Sequence, residues 1–277
     1  MRLALNGATI MRSSLDDDIE IAAETGFTAL EIWAGKLDAY LGQRSIEELA
    51  HKLRALAVRP WCINSIEDIT FRDAAGRRAI ITRLDELAAA ARAIGAPAIV
   101  VVPGQRPDGF NRHESVRDAV DMLRAMSDAA GETGLAFEFL GKPGCSVPTL
   151  DMASEIVTAV DRANVGMVID TFHFHAGGSR LDDVAAIPVE KLFVVHLNGC
   201  EDAPREQLTD AHRLYPGEGA IAIGAILRGL RARGFDGTAS VEIFRPEYWQ
   251  QEPRLVAARA RASAAAVLAE AGYEVTR

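Results

Sequence analysis

Short apolar runs alternate with amphipathic stretches from one end of the chain to the other. The runs cover residues 2–6, 29–33, 59–64, 98–102, 135–139, 166–170, 192–197 and 239–244. Each is short and rich in Val, Ile and Phe, the pattern of a buried strand. Between them, apolar positions recur with helical period at 16–25, 45–56, 77–94, 112–133, 149–160, 181–186, 222–233 and 254–271. Ser45 followed three residues later by Glu48 is a capping-box start, and Gly26, Gly95 and Gly134 stand where helices are expected to stop. Eight strands, each followed by a helix, predict an α/β fold: a (β/α)₈ TIM barrel forming one domain over residues 1–277. A doubly wound open sheet is the alternative, but Asn6-Gly7-Ala8-Thr9 lacks the glycine pattern such folds carry after their first strand.

Four of the apolar runs end on a residue that is costly to bury alone. They are Glu138 in LAFEFLG, Asp170 in VGMVIDTFHFH, His196 in LFVVHLNG and Glu242 in ASVEIF. In a barrel of this type, strand C-termini build the active site. Two Glu, one Asp and one His from neighbouring strands can share one divalent cation. Mn²⁺ is favoured, with Zn²⁺ and Co²⁺ as alternatives. Such an ion polarises the carbonyl of an α-hydroxy ketone and stabilises the enediolate left when the neighbouring carbon loses a proton. Glu138 and Glu242 flank the ligand series, so each is a candidate acid/base group as well as a ligand.

Further candidates surround these four. His173, three residues after Asp170, can bind a substrate oxygen or shuttle a proton. Arg213 precedes the Pro216-Gly217 turn and is a candidate for a hydroxyl or negative charge at the mouth. Lys142 and Asn64 are polar candidates at the mouth, and Trp33 is a candidate apolar wall. Phe244-Arg245-Pro246-Glu247-Tyr248-Trp249 follows the last ligand, which makes Arg245 a substrate-contact candidate and the aromatics a cover. Roles for His175, Asp210 and His212 stay open; His51 and His113 read as surface positions.

The net charge of −9 disfavours a nucleic-acid partner. Cys62, Cys145 and Cys200 are odd in number and far apart, which predicts a reducing, cytoplasmic setting and no disulfide framework. The N-terminus MRLALNGATIMRSS has too short an apolar core for a signal peptide. No stretch approaches the roughly 18 apolar residues of a membrane span. The apolar segment 256–271 is expected to cover the barrel bottom or a second copy of the chain.

The strings EFLGKPGCSV, ANVGMVIDTFHFHAGGS, LTDAHRLYPGEGAI and SVEIFRPEYW, with LNGAT near the N-terminus, resemble the xylose-isomerase-like barrel superfamily, and within it the inosose isomerases. The resemblance spans nearly the whole chain. It implies Glu138, Asp170, His196 and Glu242 as metal ligands and His173 and Arg213 as substrate contacts. It also implies Glu138 and Glu242 as the acid/base pair, as in the ketose 3-epimerases. The reaction implied is interconversion of 2-keto-myo-inositol and 1-keto-D-chiro-inositol, so the expected partner is a small keto-polyol. Asn64 and Val102-Pro103 stand where the related AP endonucleases add His ligands, which argues against DNA repair. Gly144 replaces the substrate-binding Glu of the ketose 3-epimerases, and Lys142 replaces a His of the inosose isomerases. The alternatives are another sugar isomerase or ketose 3-epimerase, a dehydratase of the 3-dehydroshikimate type, or a non-catalytic barrel subunit.

Overall fold

Every expected apolar run forms a strand: β1 (Arg2–Asn6), β2 (Ala29–Trp33), β3 (Arg59–Ile66), β4 (Ala98–Val101), β5 (Gly134–Glu138), β6 (Val165–Asp170) and β7 (Leu192–Leu197). A small antiparallel pair, β8 (Gly199–Cys200) with β9 (Arg213–Leu214), precedes the last barrel strand, β10 (Thr238–Val241). The eight long strands are parallel and close in the order β1-β10-β7-β6-β5-β4-β3-β2. This computed structural model describes residues 1–276; Arg277, the end of the expected domain, lies outside the described residues.

The helices are α1 (Leu15–Thr25), α2 (Ala34–Leu41), α3 (Ile46–Ala55), α4 (Ala74–Ile94), α5 (Arg112–Ala130), α6 (Leu150–Val160), α7 (Thr171–Ala176), α8 (Leu181–Ala186), α9 (Ile223–Ala232) and α10 (Pro253–Glu270). Capping boxes at Ser14/Asp17, Ser45/Glu48 and Asn111/Glu114 satisfy the first free N–H groups of α1, α3 and α5. Two helices escape the sequence pattern. α2 follows β2 without a loop, and α7 is a single turn, Thr-Phe-His-Phe-His-Ala, of residues with weak helix preference. α5 stops at Ala130 rather than at Gly134, which instead opens β5. A β-carbon at Gly134 would stand 3.1 Å from the Pro97 carbonyl, so glycine eases the close approach of the chain before β4 to the start of β5.

Period-two alternation places the functional layer. Cys62, Val100, Ala136, Val168 and Val194 form an apolar cluster inside the barrel. Two residues further along β3, β5, β6 and β7 stand Asn64, Glu138, Asp170 and His196, which therefore point the same way, one step nearer the strand C-termini. By the same step, Ala29 leads to Glu31 and Ser240 to Glu242. The register supports this: Asp170 pairs with His196, and His196 with Ser240.

The segment 256–271 does not cover the barrel bottom. It belongs to α10, which packs on α1, α9 and β1 and buries Val256, Ala260, Ala264 and Leu268 against them. No helix among the described residues is long and apolar enough to cross a membrane. Cys62, Cys145 and Cys200 are all free and buried.

A buried ion pair fixes the first two loops above the barrel. Lys36 of α2 reaches both oxygens of Asp18 at 2.8 Å and also donates to the carbonyls of Gly7 (2.9 Å) and Ile10 (3.0 Å). Asp18 is fully buried, and burial pushes its carboxyl up to about 6 despite Lys36 beside it. Removing one member leaves the other charge buried and unmatched. Lys36→Met is therefore expected to destabilise the fold by about 3–5 kcal/mol in urea unfolding, and Lys36→Met with Asp18→Asn by less. A single-variant loss below about 1 kcal/mol would show that the pair does not anchor these loops.

Candidate metal centre and active-site cavity

His196, at the end of β7, is the hub of the buried polar layer. Its Nδ1 lies 3.0 Å from Glu138 Oε1, 3.1 Å from Glu242 Oε2 and 3.8 Å from Asp170 Oδ2. One donor atom from each of Glu138, Asp170, His196 and Glu242 falls within 4.8 Å of the others, and all four residues are buried. Three carboxylates converging in a dry space repel one another and demand positive charge. Oxygen and imidazole donors suit a divalent first-row ion. The residues present therefore fit one cation.

Without that cation, protons carry the compensating charge. Burial opposes the imidazolium of His196, but Glu242, Glu31 and Glu138 outweigh it and hold its pKa well above the usual value. Burial, with Glu242 and Asp170 nearby, pushes Glu138 up to about 7 against the pull of His196. Burial also works against ionisation of Glu242, yet His196 and Arg213 hold its carboxyl below the usual range.

Arg213 sits on β9 directly beside this layer and is buried. Its Nη1 reaches Asp170 Oδ2 at 2.5 Å and Glu242 Oε2 at 3.2 Å. Its Nε and Nη2 reach Asp210 Oδ1 at 3.0 and 2.9 Å, and Nη2 also donates to His173 Nε2 at 3.1 Å. All its N–H groups thus have protein acceptors. Phe172 and Phe244 flank the guanidinium at 4.8 and 5.4 Å. His173 accepts through Nε2, so it is neutral with its proton on Nδ1. Burial, aided by Arg213, draws its pKa down to about 4. α7 positions it: Asp170 Oδ1 accepts from the His173 backbone N–H and so caps the turn that carries this imidazole.

Above the layer opens a cavity of about 260 Å³. Glu138, Glu242, His173, Arg213, Lys142, Asn64 and Trp33 all line it, as expected from the sequence. Lys142 pairs with Asp210 at 2.7 Å, and Trp33 meets Phe244 edge to face at 5.5 Å. Asn64 also braces the acids beneath the cavity, since its amide donates to Glu242 Oε1 at 2.8 Å and to Glu31 Oε1 at 3.2 Å. Arg245 does not line the cavity. It pairs with Glu201 at 2.7 Å and lies over Tyr248, because it faces away from the inward-pointing Phe244. Tyr248 and Trp249 do not cover the site either. Tyr248 stacks on Tyr215 and Trp249 donates to the Ala8 carbonyl. His212 caps its own turn through Thr209, and His175 is half-buried away from the cavity lining.

Sequence reasoning left Asp210 undecided and passed over Glu31. Glu31 is completely buried, and its Oε1 lies 3.1 Å from His196 Nε2. The signal was present: a lone Glu inside the apolar run ALEIW, the same pattern that marked Glu138.

Cation uptake must displace the protons on Glu138 and His196. The Glu138 carboxyl is held near 7 in the metal-free protein, so affinity should rise as pH increases through that value. Calorimetric titration with Zn²⁺ or Mn²⁺, run in buffers of different ionisation enthalpy, is expected to show net proton release at neutral pH. It should also show tighter binding at about pH 8 than at about pH 6. Binding without proton release would contradict the charge state described for this layer.

Comparison with known proteins agrees with the barrel fold. Residues 19–265 match the family model described as xylose isomerase-like TIM barrel. The chain is 38% identical over 254 residues to the inosose isomerase of Halalkalibacterium halodurans, covering 90% of each chain. It is 35% identical over 254 residues to the inosose isomerase of Bacillus subtilis, covering 90% of this chain and 91% of that one. The crystal structure of IOLI protein with a binding zinc atom superposes with a TM-score of 0.94 at 34% identity, covering 97% of this chain and 98% of that one.

Proposed function

Because the chain belongs to the xylose isomerase-like TIM barrel family, we propose that it is a divalent-metal-dependent isomerase of an uncharged keto-polyol, with 2-keto-myo-inositol and 1-keto-D-chiro-inositol as its substrate pair. The observation that carries the choice of an uncharged substrate is the charge balance of the cavity. Glu67, Asp68, Glu138, Asp210 and Glu242 line it against only Lys142 and Arg213. Both basic groups already face carboxylates, Lys142 at Asp210 and Arg213 at Asp170, Asp210 and Glu242. Apart from the cation, which Glu138, Asp170 and Glu242 would balance, a substrate carboxylate or phosphate would find no unmatched positive group among these lining residues and would meet Glu67 and Asp68 at the mouth. Hydroxyl groups find acceptors in Glu67, Asp68 and Gln105 and a donor in Lys142. This balance argues against the dehydratase alternative, whose substrate is a carboxylic acid.

Glu138, Asp170, His196 and Glu242 would hold the cation, Mn²⁺ being favoured and Zn²⁺ supported by the zinc in the IOLI relative. When bound, it would polarise the substrate ketone and stabilise negative charge on its oxygen. The chain's own residues handle the protons. Glu138 and Glu242 come from β5 and β10, which β6 and β7 separate, so they approach a substrate ring from different sides. One removes the proton from the hydroxyl-bearing carbon and the other delivers a proton to the former carbonyl carbon, while the hydroxyl proton passes from the oxygen that becomes the ketone to the former ketone oxygen, so that no proton is gained or lost overall. Arg213 keeps Glu242, Asp170 and His173 in fixed positions, since its donors are all engaged by protein. Neutral His173 and Lys142 would hold substrate oxygens, and Trp33 and Phe244 would supply the apolar wall for the ring carbons, a reading supported by their lining of the cavity.

The test is proton NMR in D₂O of 2-keto-myo-inositol with metal-loaded protein. Deuterium should enter next to the ketone and a second inosose should appear. Chelation should abolish both, and Glu242→Gln or Glu138→Gln should slow them by about 10²–10⁴-fold. No exchange by protein that demonstrably holds metal would reject this substrate. Water loss from 3-dehydroshikimate would favour the dehydratase, and metal-dependent stability without any turnover the non-catalytic barrel.

A further inference from the structure

Glu31 lies in the same layer as the four candidate ligands, on the far side of His196 from them. It is wholly buried near the end of β2, and its Oε1 faces His196 Nε2 at 3.1 Å while Nδ1 of the same ring faces Glu138 and Glu242. Glu31 also touches a second ligand indirectly. The Asn64 amide bridges Glu31 Oε1 and Glu242 Oε1 at 3.2 and 2.8 Å, and Asn6 adds a donor to the same Glu242 oxygen at 3.0 Å. A carboxylate this deeply buried needs partners, and those of its Oε1 are the His196 ring and the Asn64 amide.

We infer that Glu31 is a positioning residue for the metal centre: it accepts the Nε2–H of His196, fixes the tautomer that presents Nδ1 to the cation, and through Asn64 holds Glu242 in register with it. An imidazole ring without such an acceptor can rotate or carry its proton on the coordinating nitrogen. Glu31 itself is no ligand, because the His196 ring stands between it and the point where the four donor atoms converge. The inference rests on the metal centre proposed above.

The test is Zn²⁺ affinity by calorimetric titration of wild type, Glu31→Gln and Glu31→Ala, paired with thermal melts of each metal-free protein. Glu31→Gln keeps an acceptor but loses the charge, and should bind zinc about tenfold more weakly. Glu31→Ala should lose up to about 100-fold. Glu31→Gln also removes a charge partner of His196, so the metal-free melting temperature should fall in both variants; the affinity loss should persist at temperatures well below both transitions, where a purely structural role would leave zinc binding at the wild-type value. In zinc-loaded wild type, ¹H–¹⁵N spectra should show His196 protonated at Nε2, with that proton exchanging faster in Glu31→Ala. Wild-type zinc affinity in both variants would overturn the inference while leaving the centre intact. Absence of zinc binding by wild type would overturn the centre and the inference with it.

Discussion

Unbalanced negative charge in a dry space governs the upper half of this barrel. Glu31, Glu138, Asp170 and Glu242 crowd around one imidazole with almost no exposed surface of their own. Everything near them is arranged to supply positive charge or hydrogen-bond donors. Arg213 provides a permanent cation at one edge. Asn6, Asn64 and Asn198 bring amide donors to Glu242, Glu31 and Asp170. What remains is met by protons on His196 and Glu138. The lower half of the interior is ordinary by comparison, a plug of Val, Ala and Cys that holds the strands at their spacing.

The two cations above the barrel differ in kind. Lys36 is buried in an isolated pair with Asp18 and serves the loops; Arg213 is buried among several acids and serves the site. A planar guanidinium with five donors can satisfy Asp170, Asp210, Glu242 and His173 at once, which an ammonium cannot. Its position also keeps His173 uncharged. That imidazole is an acceptor toward Arg213, and a second positive charge beside the first would be repelled.

Much of this was legible in the sequence because the barrel is strict about period two. Asp170 and His196 stand out in apolar strings, and their strand-end location is what the topology requires of a site. Glu31 carries the same mark, but it lies far from the other acids in sequence, and only the closed ring brings it against the far nitrogen of His196. Arg245 failed for a different reason: adjacency to Phe244 in sequence means opposite faces in extended backbone. α7 and the Lys36–Asp18 pair were hidden in another way. A one-turn helix has too few residues to show a period, and a lysine on an amphipathic helix looks solvated until its partner is placed in space.

The layer draws its members from β2, β5, β6, β7 and β10, so residue 31 and residue 242 must meet across almost the whole length of the chain. No fragment contains the set. Contacts between β1 and β10 close the ring and bring β2, with Glu31, round to His196. The four candidate ligands come from four neighbouring strands, β5, β6, β7 and β10, whereas Glu31 reaches the far nitrogen of His196 only through closure of the whole barrel.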